Sequence, residues 1–223
     1  MNKTIIVSKF GGTSMGDLKS MERSASICVE RKSSVVVVSA TSGTTDMLSQ
    51  IAKLASSENI EQCEKLVLSI KERHQNLMSQ VSKNNEAIDV LNNCFTELDL
   101  LVHNISLLKE ITPKAHDHIL SLGERISSVI FKEVLKNKLP NKKIILLDAR
   151  TIIKTDSHFG KATPLISEIA LACEKLNPDF VYVTQGFIGA DVDGNTTVLG
   201  RGGSDYSAAL FAEGLNADVL EIW

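Results

Sequence analysis

A chain of 223 residues is ample for one α/β core and short for two, so residues 1–223 are expected to form a single domain. The formal net charge of −3, the scattered Lys and Arg and the few aromatic residues argue against a nucleic-acid partner, which needs a basic stripe and stacking platforms. No apolar run approaches the roughly 20 residues that span a bilayer, and "MNKTIIVSKF" is too short and strand-like for a signal peptide, so a cytoplasmic protein without a membrane partner is expected.

In chain order, "TIIVSKF" (4–10) and "SVVVVSA" (34–40) are near-continuous apolar runs, as strands buried on both faces of a parallel sheet require. Between them, residues 17–31 place Leu18, Met21, Ala25 and Cys28 at helical intervals. A long section from about 58 to 138 contains no strand pattern. Its first stripe is Ile60, Cys63, Val67, Ile70, His74 and Leu77, and a second runs from Val90 to Leu108. A third helix opens at Thr112, the expected cap, with Pro113 in its first position. These three helices are expected to pack over one edge or end of the sheet. The strand rhythm then resumes with "KIILLDA" (143–149), a helix over 164–176, "DFVYVTQGFIG" (179–189), a hairpin turning at Asp193, Gly194 and Asn195, and "ADVLEIW" (217–223). The pattern predicts a three-layer α/β/α sandwich around a mostly parallel sheet, with right-handed crossovers and a helical insertion. Cys28, Cys63, Cys94 and Cys173 are widely spaced at apolar helical positions and are expected as buried thiols. Because the chain stops at Trp223 inside a core-like strand, a domain truncated on its C-terminal side is expected.

Ligands of open α/β sheets bind at the carboxyl ends of the strands, and the polar, glycine-rich stretches fall there. "KFGGTS" carries Lys9, Gly11 and Gly12; "SATSGTTD" (39–46) follows the second strand; "LGRGGSD" (199–205) follows the hairpin. Glycines let main-chain N–H groups converge on an anion, and the following helix N-terminus adds partial positive charge. Arg201 offers a planar fork for a carboxylate, Ser204 a helix cap, and Asp205 a partner for a lysine or a metal. One such loop reads as a tight turn; three together point to an anionic, phosphate-bearing substrate. There is no G-x-x-x-x-G-K-[ST] motif, and no G-x-G-x-x-G follows the first strand, so P-loop and dinucleotide-binding readings are disfavoured. His116 and His118 diverge on a helix, which argues against a metal pair.

"SKFGGTS", "LGER", "TQGFIG" and "LGRGGSD", in this order through the whole chain, resemble the catalytic domain of the aspartokinases, within the amino-acid kinase family, and most nearly the monofunctional lysine-sensitive type. The resemblance implies transfer of the γ-phosphoryl group of MgATP to the side-chain carboxylate of L-aspartate. It implies Lys9 at the phosphates, with Gly11, Gly12, Gly202 and Gly203 around them, and Asp205 positioning Lys9. Arg201 and Ser204 are implied to hold a substrate carboxylate, with Thr45, Glu124 and Ser39 in the same pocket. From the residues alone, Glu124 reads first as half of a surface Glu-Arg pair, and Thr45 reads equally as a helix cap. ATP and Mg2+ are the implied cofactors.

The family continues past "IW" with residues that hold adenine, ribose and phosphates, and then with regulatory ACT domains; none lies in this sequence. The chain is therefore expected to be weakly active or inactive alone, without lysine regulation, and the full-length protein to be a homo-oligomer, a dimer. The alternatives are another member of the fold acting on glutamate or acetylglutamate, and a catalytically silent ligand-binding module.

Overall fold

The computed structural model describes residues 4–57 and 59–223; residues 1–3 and Glu58, where the strand-free section begins, lie outside the described residues. Five parallel strands form the central sheet: β1 (Ile6–Phe10), β2 (Val35–Val38), β3 (Ile144–Leu147), β4 (Val181–Gln185) and β7 (Val219–Ile222). Their order is β3-β4-β2-β1-β7. The four valines of β2 lie at its centre, each buried, in register with Val7–Phe10 on one side and Tyr182–Gln185 on the other. That is why this stretch shows no polar alternation.

Helix α1 (Leu18–Arg31) starts where the Asp17 carboxylate accepts the Ser20 N–H at 2.7 Å, and it packs beside α5 (Pro113–Lys138). Helices α6 (Ile166–Cys173) and α7 (Gly203–Gly214) pack together, α7 against β1 and β2, completing the three-layer sandwich. The Thr112 hydroxyl caps α5 by accepting from Ala115 N–H, with Pro113 at the first position as the sequence predicts. Helix α5 is more than part of an insertion. It lies against β2, β3 and β4, so it is a layer helix of the sandwich, and α2 (Thr44–Ala55), α3 (Ile60–Val81) and α4 (Asn85–Leu108) stack on it. All four cysteines are buried free thiols.

The run 179–189 is two strands rather than one. Phe187 has φ +69°, which breaks the strand and starts β5 (Ile188–Ala190), the partner of β6 (Thr196–Val198) in an antiparallel hairpin. Gly194 supplies the positive φ of the turn, and the Asp191 carboxylate fixes it by accepting from Asp193 N–H, Asn195 N–H, Asn195 Nδ2 and the Ser157 hydroxyl.

Candidate active site

The carboxyl ends of β1, β2 and β4 meet the first turns of α2 and α7 around a cavity of about 640 Å3. Its lining includes Gly12, Ser39, Thr45, Glu124, Arg201, Gly202, Gly203, Ser204 and Asp205, so residues from three separate sequence stretches and one helix converge, while Lys9 and Gly11 are not on its wall. The N-termini of α2 and α7 both open onto it, and their dipoles favour an anion there, although the Thr44, Gly203 and Asp205 amides already donate to the Thr41, Gly200 and Gly202 carbonyls. Lys9, at the end of β1, is almost fully buried, and its Nζ lies 2.5 Å from Asp205 Oδ1. Asp205 is half exposed toward the cavity, so this pair presents the lysine charge from below the loop.

Several expectations change in detail. Thr45 is not a cap, because Gly43 in the left-handed region (φ +76°) takes that place and leaves the Thr45 side chain on the cavity wall. Ser204 likewise caps nothing; Gly202 (φ +74°) precedes α7, and Ser204 rests on Gly186, where an added Cβ would lie 2.6 Å from the serine Cβ. The Gly11 N–H is already used, donating to the Trp223 carbonyl at 3.3 Å, and the Gly203 N–H donates to Gly200. Neither amide is left for a ligand.

Glu124 stands inside α5 rather than on the surface. Arg125 instead makes a two-pronged pair with Glu97 on α4, and His118 bonds the same carboxylate; burial raises Glu97, but these two partners outweigh it and bring it to about 2. Glu124 is buried, its Oε2 has no hydrogen-bond partner, and burial pushes its carboxyl up to about 8 against the opposing pull of the Ala40 amide. The preceding Gly123 makes this possible, since a Cβ there would meet the Ala40 Cβ at 2.9 Å. A glycine inside a helical pattern is the sequence signal of that close approach.

Asp117 was not foreseen. It is fully buried on the cavity wall, its Oδ2 accepts from Gly160 N–H (2.8 Å) and Val198 N–H (3.0 Å), and its Oδ1 is unpartnered. It ties the helix that carries Glu124 to the strand that leads into Arg201. Arg201 is exposed at the rim and has no ion-pair partner among the described residues.

The site thus offers a buried carboxyl with an unsatisfied oxygen, two helix N-termini and a guanidinium with no ion-pair partner among the described residues around one space, with the buried lysine behind Asp205. Residues 4–223 match the amino acid kinase family. The chain belongs to that family. Among its relatives, lysine-sensitive aspartokinase 3 of Escherichia coli K12 is 36% identical over 98% of this chain and 48% of its own length, and the aspartokinase of Chlamydia trachomatis is 37% identical over 98% and 48%. The chain spans about half the length of the curated relatives it matches. Among solved amino acid kinase structures, Escherichia coli aspartokinase III in complex with aspartate and ADP superposes with a TM-score of 0.90 at 34% identity, covering 98% of this chain and 48% of that one. The same enzyme in complex with lysine and aspartate also gives 0.90, at 32% identity over 98% and 49%.

Proposed function

We propose that this chain is the aspartate-binding part of an aspartate kinase, which transfers the ATP γ-phosphoryl group to the side-chain carboxylate of L-aspartate. The observation that carries this reading is Glu124. A buried carboxyl with an unpartnered oxygen can give up its proton to an arriving cation, and Arg201, with no ion-pair partner among the described residues, calls for an anion across the same cavity; an amino acid supplies both. Glu124 then receives the α-ammonium and Arg201 the α-carboxylate, with Ser39, Thr45 and Ser204 hydrogen-bonding the bound molecule. The β-carboxylate is left facing the Gly12 loop and the α7 N-terminus.

In the transfer, a β-carboxylate oxygen forms the new bond to the γ-phosphorus, the bond from that phosphorus to the bridging oxygen breaks, and ADP leaves with the electron pair. The protein has little covalent work in such a step; alignment and charge neutralisation supply the rate. Lys9, held by Asp205, neutralises charge on the moving group, and the Gly12 and Gly202 backbone lets phosphate oxygens approach. Mg2+ would arrive with the nucleotide and supply further neutralisation of phosphate charge.

Relatives about twice as long as the matched region support the further reading that the adenine and ribose contacts, regulation by an amino acid and a dimer interface lie outside residues 1–223, and that this chain alone is weakly active or inactive. We place the protein in the cytoplasm; no helix among the described residues is long and apolar enough to cross a membrane. Calorimetric titration with L-aspartate against L-glutamate tests the core of the proposal. Saturable binding of aspartate alone is expected; no binding by the folded chain, or preference for glutamate, overturns it and favours a silent module or a kinase of another acid.

A further inference from the structure

Helix α3 contributes no residue to the cavity wall, yet two consecutive side chains on it end on both loops that build that wall. Arg73 donates from Nη1 to the Ser42 carbonyl (2.8 Å) and from Nη2 to the Gly16 carbonyl (3.0 Å). One planar guanidinium therefore bridges the loop after β2 to the loop after β1. The Ser42 hydroxyl closes the link by donating to the Gly12 carbonyl at 2.8 Å.

His74 beside it is fully buried, and its Nδ1 lies 2.6 Å from the Ile70 carbonyl, which can only accept. The ring proton is therefore on Nδ1, and Nε2 accepts the Thr41 hydroxyl at 2.8 Å. Thr41 Oγ1 in turn accepts from Thr44 at 2.6 Å. Burial pushes the imidazole down to about 4, so this one-way chain persists through neutral pH.

In a trans peptide the C=O and N–H point in opposite directions, and no cis bond occurs among the described residues. Holding the carbonyls of Gly12 and Ser42 in this bracket therefore turns the Thr13 and Gly43 amides away from it. Gly12, Ser42 and Gly43 all line the cavity. Fixing carbonyls on one side of a loop is how a concave set of amides is prepared for an anion.

We propose that Arg73 and His74 are positioning residues for phosphoryl transfer, holding the two glycine loops in one register so that α3 is part of the apparatus of the site and not only a cover on α5. The substrate in this statement rests on the reading given above; the bracket itself does not.

The test uses the full chain with Arg73→Ala, Arg73→Lys and His74→Gln, followed by amide hydrogen exchange over 11–17 and 39–46 and by aspartate titration. Arg73→Ala is expected to speed exchange in both loops together and to weaken aspartate binding about tenfold, the loss of charge-assisted bonds. Arg73→Lys, which keeps the charge but not the fork, falls between, and millimolar guanidinium restores Arg73→Ala in part. His74→Gln speeds exchange over 39–46 and leaves 11–17 unchanged, and it serves as the readout if the arginine variants do not fold. A lower melting temperature with unchanged loop exchange and unchanged affinity would overturn the proposal, because Arg73 would then only anchor α3. Faster loop exchange in a chain whose wild type binds no aspartate would sustain the bracket while removing the substrate reading.

Discussion

Glu124 carries a pH signature that a surface carboxylate lacks. Its folded value near 8 lies above the ordinary 4.5, so the folded chain holds this proton more tightly than the unfolded one. Its effect on stability is therefore a loss as pH rises from about 4.5 through about 8. Glu124→Gln should flatten that decline in thermal melts of the ligand-free chain between pH 5 and 8. An arriving ammonium reverses the balance by favouring the ionised form. Aspartate binding at pH 7 is then expected to release a proton, visible as a dependence of the calorimetric heat on buffer ionisation enthalpy, and Glu124→Gln should abolish it. Arg201 and Lys9 separate differently. Arg201→Ala should weaken aspartate affinity by about 10- to 100-fold, the worth of a charge-assisted pair. Lys9→Ala should leave affinity nearly unchanged while lowering the turnover number in any catalytically competent form. The family resemblance of the "KFGG" and "GRGGSD" motifs made the Lys9–Asp205 pair legible, whereas from the residues alone Asp205 reads as a partner for either a lysine or a metal. Asp117 and Arg73 were not legible, since their hydrogen bonds go to backbone atoms far away in sequence, which no local pattern records.

Among the elements, α7 and α5 approach the site through glycines, and this close packing fixes where Arg201 and Glu124 stand. At Gly186 a methyl group would meet the Ser204 Cα at 2.8 Å, a backbone atom that cannot rotate away. Gly186→Ala gains about 0.4–1 kcal/mol from a less mobile unfolded chain but costs about 1–3 kcal/mol of overpacking, so net destabilisation is expected in a chemical melt, with weaker aspartate binding as α7 shifts. The helices themselves were readable where they obey local rules: Thr112 and Pro113 start α5. Reading failed where a glycine replaced the expected cap, at Gly43 and Gly202, because the left-handed turn serves the cavity and not the helix. It failed also at Phe187, whose positive φ in an otherwise strand-like run is stabilised by tertiary contact, its N–H donating to the Ser207 hydroxyl at 2.9 Å.

At the scale of the molecule, cavity and sheet are one construction, so occupancy should be felt in global stability. Aspartate at about 100 times its Kd would add roughly 2.7 kcal/mol, which for a chain of this size raises Tm by roughly 5–10 °C; glutamate at the same concentration should not. A null shift with aspartate in a differential scan would argue against the site. The strand order β3-β4-β2-β1-β7 also bears on how the chain is made. One edge of β1 pairs with β2 after only a short connection. Its other edge pairs with β7, and Lys9 meets Asp205, only after the roughly 200 residues between them have been translated. At the usual pace of about 5–20 residues per second, that edge and a buried-to-be lysine wait roughly 10–40 s on the ribosome. An open apolar strand held that long is a target for nascent-chain chaperones, and the loop after β1 is completed long after it is read.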